Sequence, residues 1–511
     1  MQGQMPVQDG ISTRFQQLQK RFAGHYQEIF YNDLAEKTVV IVPSLTLDRK
    51  MLESVTGHMH YEERLLCLLM LLRMPRTTVI YVSSQPIDAS IIDYYLHLLP
   101  GITGYHARQR LHLFSCYDGS SASLTQKILD RPRLVNRIRA LIVKPELAHM
   151  VCFNVTELEA KLSGQLDIPV YGCDPALSYL GSKSGSRDIF RQLNVPMPEG
   201  FENLEDEEGI VQALVRLKQQ NPLLKKAVVK INEGFSGDGN AIFHYNGLDA
   251  GSLNLQEEIR ERLPDRLSIV ANGMGYTNYM NGFKKLGGIV EEFMEGAMKQ
   301  SPSVQCRINP LGVCDIISTH DQVLGGESGQ VFLGATFPAR KAYSRELAIP
   351  AMSIAGAMQQ LGVLGRFGID FLSVYRNGAW FHYAIEINLR KGGTTHPFLM
   401  LQFLTNGEYD MQSGEYRMPN GQSRYYFASD NVEDARYKGL TPHDLIDIAM
   451  CHKLLYDGAK QCGVMFHMIG ALSEFGKLGM VCIGGSHEEA RAYFEKTINV
   501  LNQVCTDCPG S

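Results

Sequence analysis

The sequence predicts a chain of α/β and α+β class, on three observations. From Thr38 to Gly172, β-branched apolar runs alternate with helical patterns, the arrangement that builds a parallel sheet. A second series of strands and helices is interrupted by a glycine-rich loop after Lys230. Further on, Val363–Pro397 (VLGRFGIDFLSVYRNGAWFHYAIEINLRKGGTTHP) reads as a β-hairpin with a polar face.

Residues 1–36 read as an amphipathic helical arm, with Phe15, Leu18, Phe22, Tyr26, Ile29 and Phe30 on one side. Val39–Pro43 is the first strand, Tyr61–Leu72 a helix and Thr78–Ser83 the second strand. Ile91–Leu99 is a helix, Leu111–Ser115 a strand, Leu124–Arg139 a helix and Leu141–Lys144 a strand. Thr156 followed by Glu159 is a capping-box signal for the helix Glu157–Leu166, and Ile168–Gly172 is a last strand. A second unit begins near Asp174. Ser182–Asn194 reads as a helix that Pro196 and Pro198 close. The acidic stretch Glu202–Glu208 opens another helix, running through Gln219, where the helix dipole tolerates negative charge. Ala227–Ile231 and Ile242–Tyr245 flank the glycine loop as strands. Val290–Met294 is a strand, Val304–Phe337 a hairpin region and Ala351–Leu361 a helix. In the tail, Thr441 caps a helix with Pro442 at its first position. Val464–Leu472 and Leu478–Ile483 pair through Gly476, and Glu488–Leu501 closes the chain as a helix.

Composition excludes several classes. Among 511 residues, 44% are apolar and 20% charged, the balance of a globular protein, and a net charge of −5 gives no basic excess for nucleic acid. The longest apolar run, Leu65–Leu72, is far short of the roughly twenty residues of a membrane span. The polar N-terminus carries no signal-peptide pattern, and eleven cysteines without a framework point to reduced thiols in the cytoplasm. The one CxxC, Cys505–Cys508, reads as a frayed tail.

The chemistry concentrates in the late hairpin. One strand covers Gly368–Tyr375, Asn377-Gly378 marks the turn, and Trp380–Asn388 returns. Alternation puts Glu386 and Asn388 on one face, with Asp370 across the ladder. Two carboxylates and an amide make a site for an oxygen-loving cation such as Mg²⁺. Arg390, Lys391, Gly392 and Gly393 follow as a cationic exit. Upstream, Lys230 ends the strand VVK, and Gly234, Gly237 and Gly239 let backbone amides approach an anion. No Gly-Lys-Ser/Thr follows those glycines, which rules out a Walker loop. Lys183 precedes a helix and offers a second cation, with a surface lysine as the plainer alternative. Glu291, Glu292 and Met294 end an apolar strand whose free backbone groups can meet a base edge. His320 and Asp321 fall in a loop between two strand-like runs, where a hairpin turn with a local hydrogen bond is the plainer reading. Arg340 and Lys341 either grip a carboxylate or form a solvated surface pair.

A strand-terminal lysine, a glycine loop, the V-E-E-F-M hinge and a late D…E-I-N hairpin, in that order, resemble the ATP-grasp superfamily from about Thr38 to Pro397. KINEGFSGDGN, STHDQVLGG with FLGATFPA, and EINLRKGGTTHP narrow the likeness to carboxylate–amine ligases of the pheganomycin-type peptide ligase group. The resemblance implies an ATP-grasp fold in four parts: a helical arm (1–36), a parallel α/β pre-ATP-grasp domain (37–175), an ATP-grasp domain (176–410) and a small C-terminal α+β domain (411–511). It implies that Lys183 and Lys230 hold the phosphates of ATP and that the loop Gly234–Asn240 closes over them. It further implies that Glu291 meets the adenine amino group, that the backbone of Glu292 and Met294 meets the ring edge, and that Asp370, Glu386 and Asn388 bind Mg²⁺. Arg390 would stand by the transferred phosphate or the carboxylate, and His320, Asp321 and Arg340 by the substrate. Two departures stand out. The acid that holds ribose in many members is replaced by Ala297-Met298-Lys299, so that either Glu295 substitutes for it or the ribose is held less well. Gly368 occupies the position of an arginine that some relatives carry, with Arg366 upstream.

The expected activity is ATP-dependent ligation of a carboxylate to an amine through an acyl phosphate. The substrates are small molecules or peptides, without nucleic acid or membrane, and the N-terminal arm leaves an oligomer open. A small-molecule kinase and a non-catalytic nucleotide-binding module are the alternatives.

Overall fold

The computed structural model describes residues 6–47, 52–53, 55–234, 239–271, 273–296, 298–325 and 331–507. Strands β1 (Thr38–Val42), β2 (Thr78–Ser83), β3 (Leu111–Ser115) and β4 (Ala148–Cys152) form a parallel sheet in the order β3-β2-β1-β4. The expected strand at Leu141–Lys144 is a turn; the strand is β4. Every residue of β4 is buried, including His149, which stacks on Phe22 of the helix Pro6–Tyr31 with ring centroids 5.5 Å apart. A histidine thus takes a core position that a purely apolar pattern skips. The expected strand at Ile168–Gly172 reduces to one bridge, Met150 to Val170. The expected helix Leu124–Arg139 is two helices, Leu124–Leu129 and Pro132–Ala140. Pro132 cannot donate an amide, and Arg131 before it is held out of the helical region at φ −123°, ψ 74°. His58–Arg73 winds as a 3₁₀ helix rather than an α-helix and is almost wholly buried from Tyr61 to Leu72.

A second, antiparallel sheet has the order β5-β9-β6-β7-β8, from β5 (Gly200–Leu204), β6 (Lys226–Ile231), β7 (Asn240–His244), β8 (Leu267–Ile269) and β9 (Gly288–Glu292). β5 was not expected from the sequence, because this half-exposed edge strand has no apolar alternation. Opposite Val228 on β6 stands Glu291 on β9, and opposite Lys230 stands Ile289. Lys230 and Glu291 therefore share one face as diagonal neighbours.

The third sheet is built from β10 (Met298–Ile308), β11 (Cys314–Gly325), β12 (Val331–Phe337), β13 (Gly365–Arg376) and β14 (Ala379–Asn388). A small ribbon of β15 (Glu408–Asp410) and β16 (Glu415–Arg417) follows, and β17 (Tyr425–Glu433), β18 (Gly463–His467) and β19 (Lys477–Gly484) then rejoin the sheet. Its antiparallel order is β14-β13-β10-β11-β12-β17-β19-β18, so the C-terminal strands continue the sheet that holds the hairpin. Asn377 at φ 51° and Gly378 at φ 83° make the tight turn that Asn-Gly announces. The helix Lys341–Gln360 packs on this sheet and begins ten residues earlier than expected, with Pro350 tolerated in its interior beside the exposed Ile349. No helix among the described residues is long and apolar enough to cross a membrane.

The expected capping box is present. Glu159 accepts the amide of Thr156 at 2.7 Å, and the Thr156 hydroxyl accepts the amide of Leu158 at 3.2 Å. Thr156→Ala is expected to cost about 1 kcal/mol, and Thr156→Ser much less. Chemical denaturation monitored by far-UV circular dichroism measures both.

Candidate active site

A cavity of about 810 Å³ lies between the second and third sheets, lined from β6 and β9 on one side and from β10, β11, β13 and β14 on the other. The helix Lys183–Gln192 fastens those two sheets together at its N-terminus. Ser184 donates through its amide and hydroxyl to Asn232 Oδ1 beyond β6, at 3.0 and 2.8 Å. Ser186 Oγ accepts the amide of Ile387 on β14 at 2.9 Å. Lys183, the first residue of this helix, is thereby set between both sheets, its ammonium 3.3 Å from Glu386 Oε2.

On the hairpin, Asp370 stands opposite Glu386 and Gly368 opposite Asn388, with a bulge immediately after Asp370. The Asn388 amide donates to Asp370 Oδ2 at 2.9 Å and to Glu386 Oε1 at 3.2 Å. Burial, and then the charge of Glu386, push the Asp370 carboxyl up, against hydrogen bonds from Ser303 and Gln322. Burial also pushes Glu386 up, but Lys183, Lys230 and Arg390 outweigh it and hold that carboxyl well below its ordinary value. Two adjacent anions of which one resists ionising, with an amide between them, fit a divalent cation. The ion would relieve the repulsion, and a half-turn of the Asn388 amide would present an oxygen in place of its donor.

Across the cavity, Lys230 Nζ lies 2.5 Å from Glu291 Oε1, and Arg187 Nη1 lies 3.2 Å from Glu291 Oε2. All three side chains are buried. Both oxygens of Glu291 are thus engaged by cations, and its carboxylate anchors Lys230. The Glu292 amide is also taken, by the Glu199 carbonyl at 2.8 Å. Val228, Phe293, Met294, Phe371, Leu372 and Ile385 give the cavity an apolar slot next to these groups. Lys299 lies over the Phe293 ring at 4.7 Å and donates to the Met294 carbonyl at 3.2 Å. Glu295 points away to Lys225, 4.0 Å off, and is not among the residues lining the cavity, so it does not replace the missing ribose acid. Gln300 and Ser301 are the neutral polar groups nearby in the lining.

Gly234 and Gly239 line the cavity where the two ends of the glycine loop meet. A Cβ on Gly234 would come within 3.3 Å of the Gly239 amide nitrogen. Gly237 lies outside the described residues. Arg390 lines the cavity beyond Asn388, and burial depresses its pKa while Glu386 and Asp370 oppose that.

The structure does not bring His320, Asp321 and Arg340 to this cavity. His320 is fully buried, with Nε2 2.6 Å from the Tyr426 hydroxyl. Asp321 accepts the Tyr343 hydroxyl at 2.5 Å and the Arg340 amide at 3.0 Å, and the Arg340 side chain is exposed. Asp321 braces β11 against the start of the helix Lys341–Gln360, whereas His320 packs on the other side against Phe337, Phe398 and Tyr426. The lining instead includes residues that sequence reasoning missed: Tyr61, Arg64, Phe153, Asp430 and Asn431. The only sequence signal at Arg64 is its place directly before the apolar run Leu65–Leu72.

Comparison with known proteins agrees with this architecture. A family model described as "IQCH-like, ATP-grasp" matches residues 175–268 and 253–412, and one described as "PGM1 C-terminal domain" matches 444–497. The chain is 27% identical over 466 residues to the L-propargylglycine–L-glutamate ligase of Streptantibioticus cattleyicolor, covering 89% of this chain and 92% of that one. Among solved structures it resembles the biotin carboxylase domain of Hydrogenobacter thermophilus 2-oxoglutarate carboxylase, in complex with MgADP, ADP and bicarbonate. The TM-score is 0.55 at 12% identity, over 92% of this chain and 94% of that one. It also resembles the biotin carboxylase–βγ-ATP complex from Campylobacter jejuni, with a TM-score of 0.54 at 13% identity, over 93% and 95% of the two chains.

Removing Glu291 strands two buried cations. Glu291→Leu is expected to destabilise the protein by about 3 kcal/mol, and adding Lys230→Met to recover part of that loss. A denaturant-midpoint cycle over the two single variants and the double variant measures it; a Glu291→Leu midpoint equal to wild type would contradict the pairing.

Proposed function

We propose that this chain, whose fold is that of the ATP-grasp proteins, is an ATP-dependent ligase that joins a carboxylate to an amine through an acyl phosphate. One observation carries the reading: Lys183 stands 3.3 Å from Glu386, and both line one cavity of about 810 Å³ together with Lys230, Asp370, Asn388, Arg390 and the apolar Val228, Phe293, Met294 and Leu372. The Streptantibioticus relative is named for joining two amino acids, which supports amino acids or peptides as the substrate class.

The adenine would lie in the slot of Val228, Phe293, Met294 and Leu372, against the backbone of Glu292 and Met294. Lys183 and Lys230 would hold the phosphates, with Glu291 fixing Lys230 in place. Asp370, Glu386 and the Asn388 amide oxygen would hold Mg²⁺, which when bound neutralises phosphate oxygens that would otherwise repel an attacking anion. A substrate carboxylate oxygen attacks the γ-phosphorus, ADP leaves, and Arg390 stabilises the charge of the group in flight. That step leaves an acyl phosphate. The amine nitrogen, as the free base, then attacks the carbonyl carbon; the C–N bond forms, the C–O bond to phosphate breaks with its electron pair on phosphate, and the proton shed by the nitrogen goes to the departing phosphate. The side chains bind, orient and neutralise; none forms a covalent bond.

We assign the chain to four parts, 1–36, 37–175, 176–410 and 411–511, and place the enzyme in the cytoplasm. The ten cysteines among the described residues being free thiols supports that compartment. No observation on the molecule favours the kinase or the non-catalytic reading.

Lys230→Met and Glu386→Gln are each expected to lower ADP release that depends on a carboxylate–amine pair by at least about 10²-fold. With hydroxylamine as the amine, the wild type should yield a hydroxamate, which a phosphate ester does not give. Unchanged turnover in both variants, or ADP release without hydroxamate, would contradict the ligase mechanism.

A further inference from the structure

Part of the cavity takes no part in holding nucleotide or metal. Beyond Arg390 its lining continues through Gly392, Gly393 and Thr394 to Arg64 and Asp430. Arg64 is 3% exposed, and its guanidinium carbon lies 4.5 Å from the ring centroids of both Tyr61 and Phe153. Its Nε donates to the Tyr61 carbonyl at 3.4 Å and its Nη1 to Asp430 Oδ2 at 3.3 Å. Its Nη2 is buried and has no hydrogen-bond partner among the described residues. A guanidinium so confined has lost its water without spending every donor, a cost that an anionic ligand removes.

Asp430 is fixed from the other side. Its Oδ1 lies 2.6 Å from His467 Nε2 and 3.3 Å from His396 Nε2, and those two nitrogens are 3.0 Å apart. Burial pushes the Asp430 carboxyl up, but the two histidines hold it well below its ordinary value, so it stays an anion. A buried cation with a spare donor and a buried anion therefore sit side by side in one wall.

We propose that the Arg64–Asp430 end of the cavity is the subsite for the amine substrate, and that this substrate is an amino acid or peptide whose carboxylate meets Arg64 and whose ammonium meets Asp430. The proposal rests on the ligase reading and adds the acceptor's chemistry to it. Charge balance favours it over a metal ion. His396, Asp430 and His467 offer ligand atoms within 4.8 Å of one another, but an ion there would share the one anion of the cluster with Arg64. A zwitterion brings its own carboxylate to Arg64, leaving two positive and two negative charges paired. Arginine suits the task because its planar fork matches a carboxylate.

The test uses the full-length enzyme. Hydroxylamine trapping over the proteinogenic amino acids first identifies a donor carboxylate. Each amino acid and its carboxamide are then compared as acceptors with that donor, for the wild type and for Arg64→Met. The wild type is expected to prefer the acids by at least about 30-fold in kcat/KM. Arg64→Met should bring acid and amide to within about threefold of each other, with the loss falling on the KM of the acid, and Arg64→Lys should restore part of the preference. Amides accepted as readily as acids by the wild type would overturn the proposal even if Arg64→Met fails to fold. So would an Arg64→Met enzyme that keeps the wild-type ratio, or a hydroxamate-forming enzyme that uses no amino-acid acceptor. A wild type that forms no hydroxamate at all would remove the ligase reading itself, and this subsite with it.

Discussion

Asp370 and Glu386 face each other across one rung of an antiparallel ladder, and the rest of the site answers that repulsion. Like charges opposite one another destabilise a sheet. Here Lys183 pairs with Glu386 at 3.3 Å, the charges of Lys183, Lys230 and Arg390, from three separate segments, hold the Glu386 carboxyl well below its ordinary value, and the Asn388 amide bridges the two acids. Burial strengthens each of these interactions and raises the cost of leaving any group unpaired. The arrangement stores a demand for positive charge at one point, and that demand is what a magnesium–nucleotide complex would meet.

The wider fold exists to bring those segments together. The helix Lys183–Gln192 hydrogen-bonds to the second sheet through Ser184 and to the third through Ser186, so the two walls of the cavity share one strut. After Asn388 the chain crosses to the parallel sheet, where the Lys391 ammonium donates to the Cys152 carbonyl at 2.6 Å and its amide to the Phe153 carbonyl at 3.1 Å. That crossing places Phe153 in the cavity lining, with Arg64 packed against its ring. β17 hydrogen-bonds to β12 in the third sheet and carries Asp430 into the same wall. The residues that line the cavity thus come from every sheet-bearing part of the chain, and none of those parts holds a complete site.

Which features could be read from sequence follows from how local their causes are. The hairpin was legible because Asn377-Gly378 fixes the turn and a two-residue period then fixes the face of Asp370, Glu386 and Asn388. The capping box at Thr156 is likewise a matter of neighbours in sequence. β4 was missed because His149 interrupts its apolar run, and only the overlying Phe22 and Phe30 explain why a histidine is buried there. The two cations on Glu291 depend on strand register and on a helix more than a hundred residues upstream. Arg64 and Asp430 are 366 residues apart, and no local pattern joins them. His320 and Asp321 lie on a strand of the right sheet, yet Asp321 belongs to the seam between β11 and the helix Lys341–Gln360 and His320 to the aromatic cluster of Phe337, Phe398 and Tyr426, a distinction that only packing makes.

The central claim is that one nucleotide and its metal lie between the Lys230 strand and the Asp370–Glu386–Asn388 hairpin. Diffraction from crystals grown with a non-hydrolysable ATP analogue and Mn²⁺, recorded for anomalous scattering, tests it most directly. The account predicts a manganese peak within bonding distance, about 2.2 Å, of oxygens of Asp370, Glu386 and Asn388, with the phosphates at the Lys183 and Lys230 ammonium groups. Nucleotide bound elsewhere, or manganese away from the hairpin while these side chains keep their positions, would contradict it.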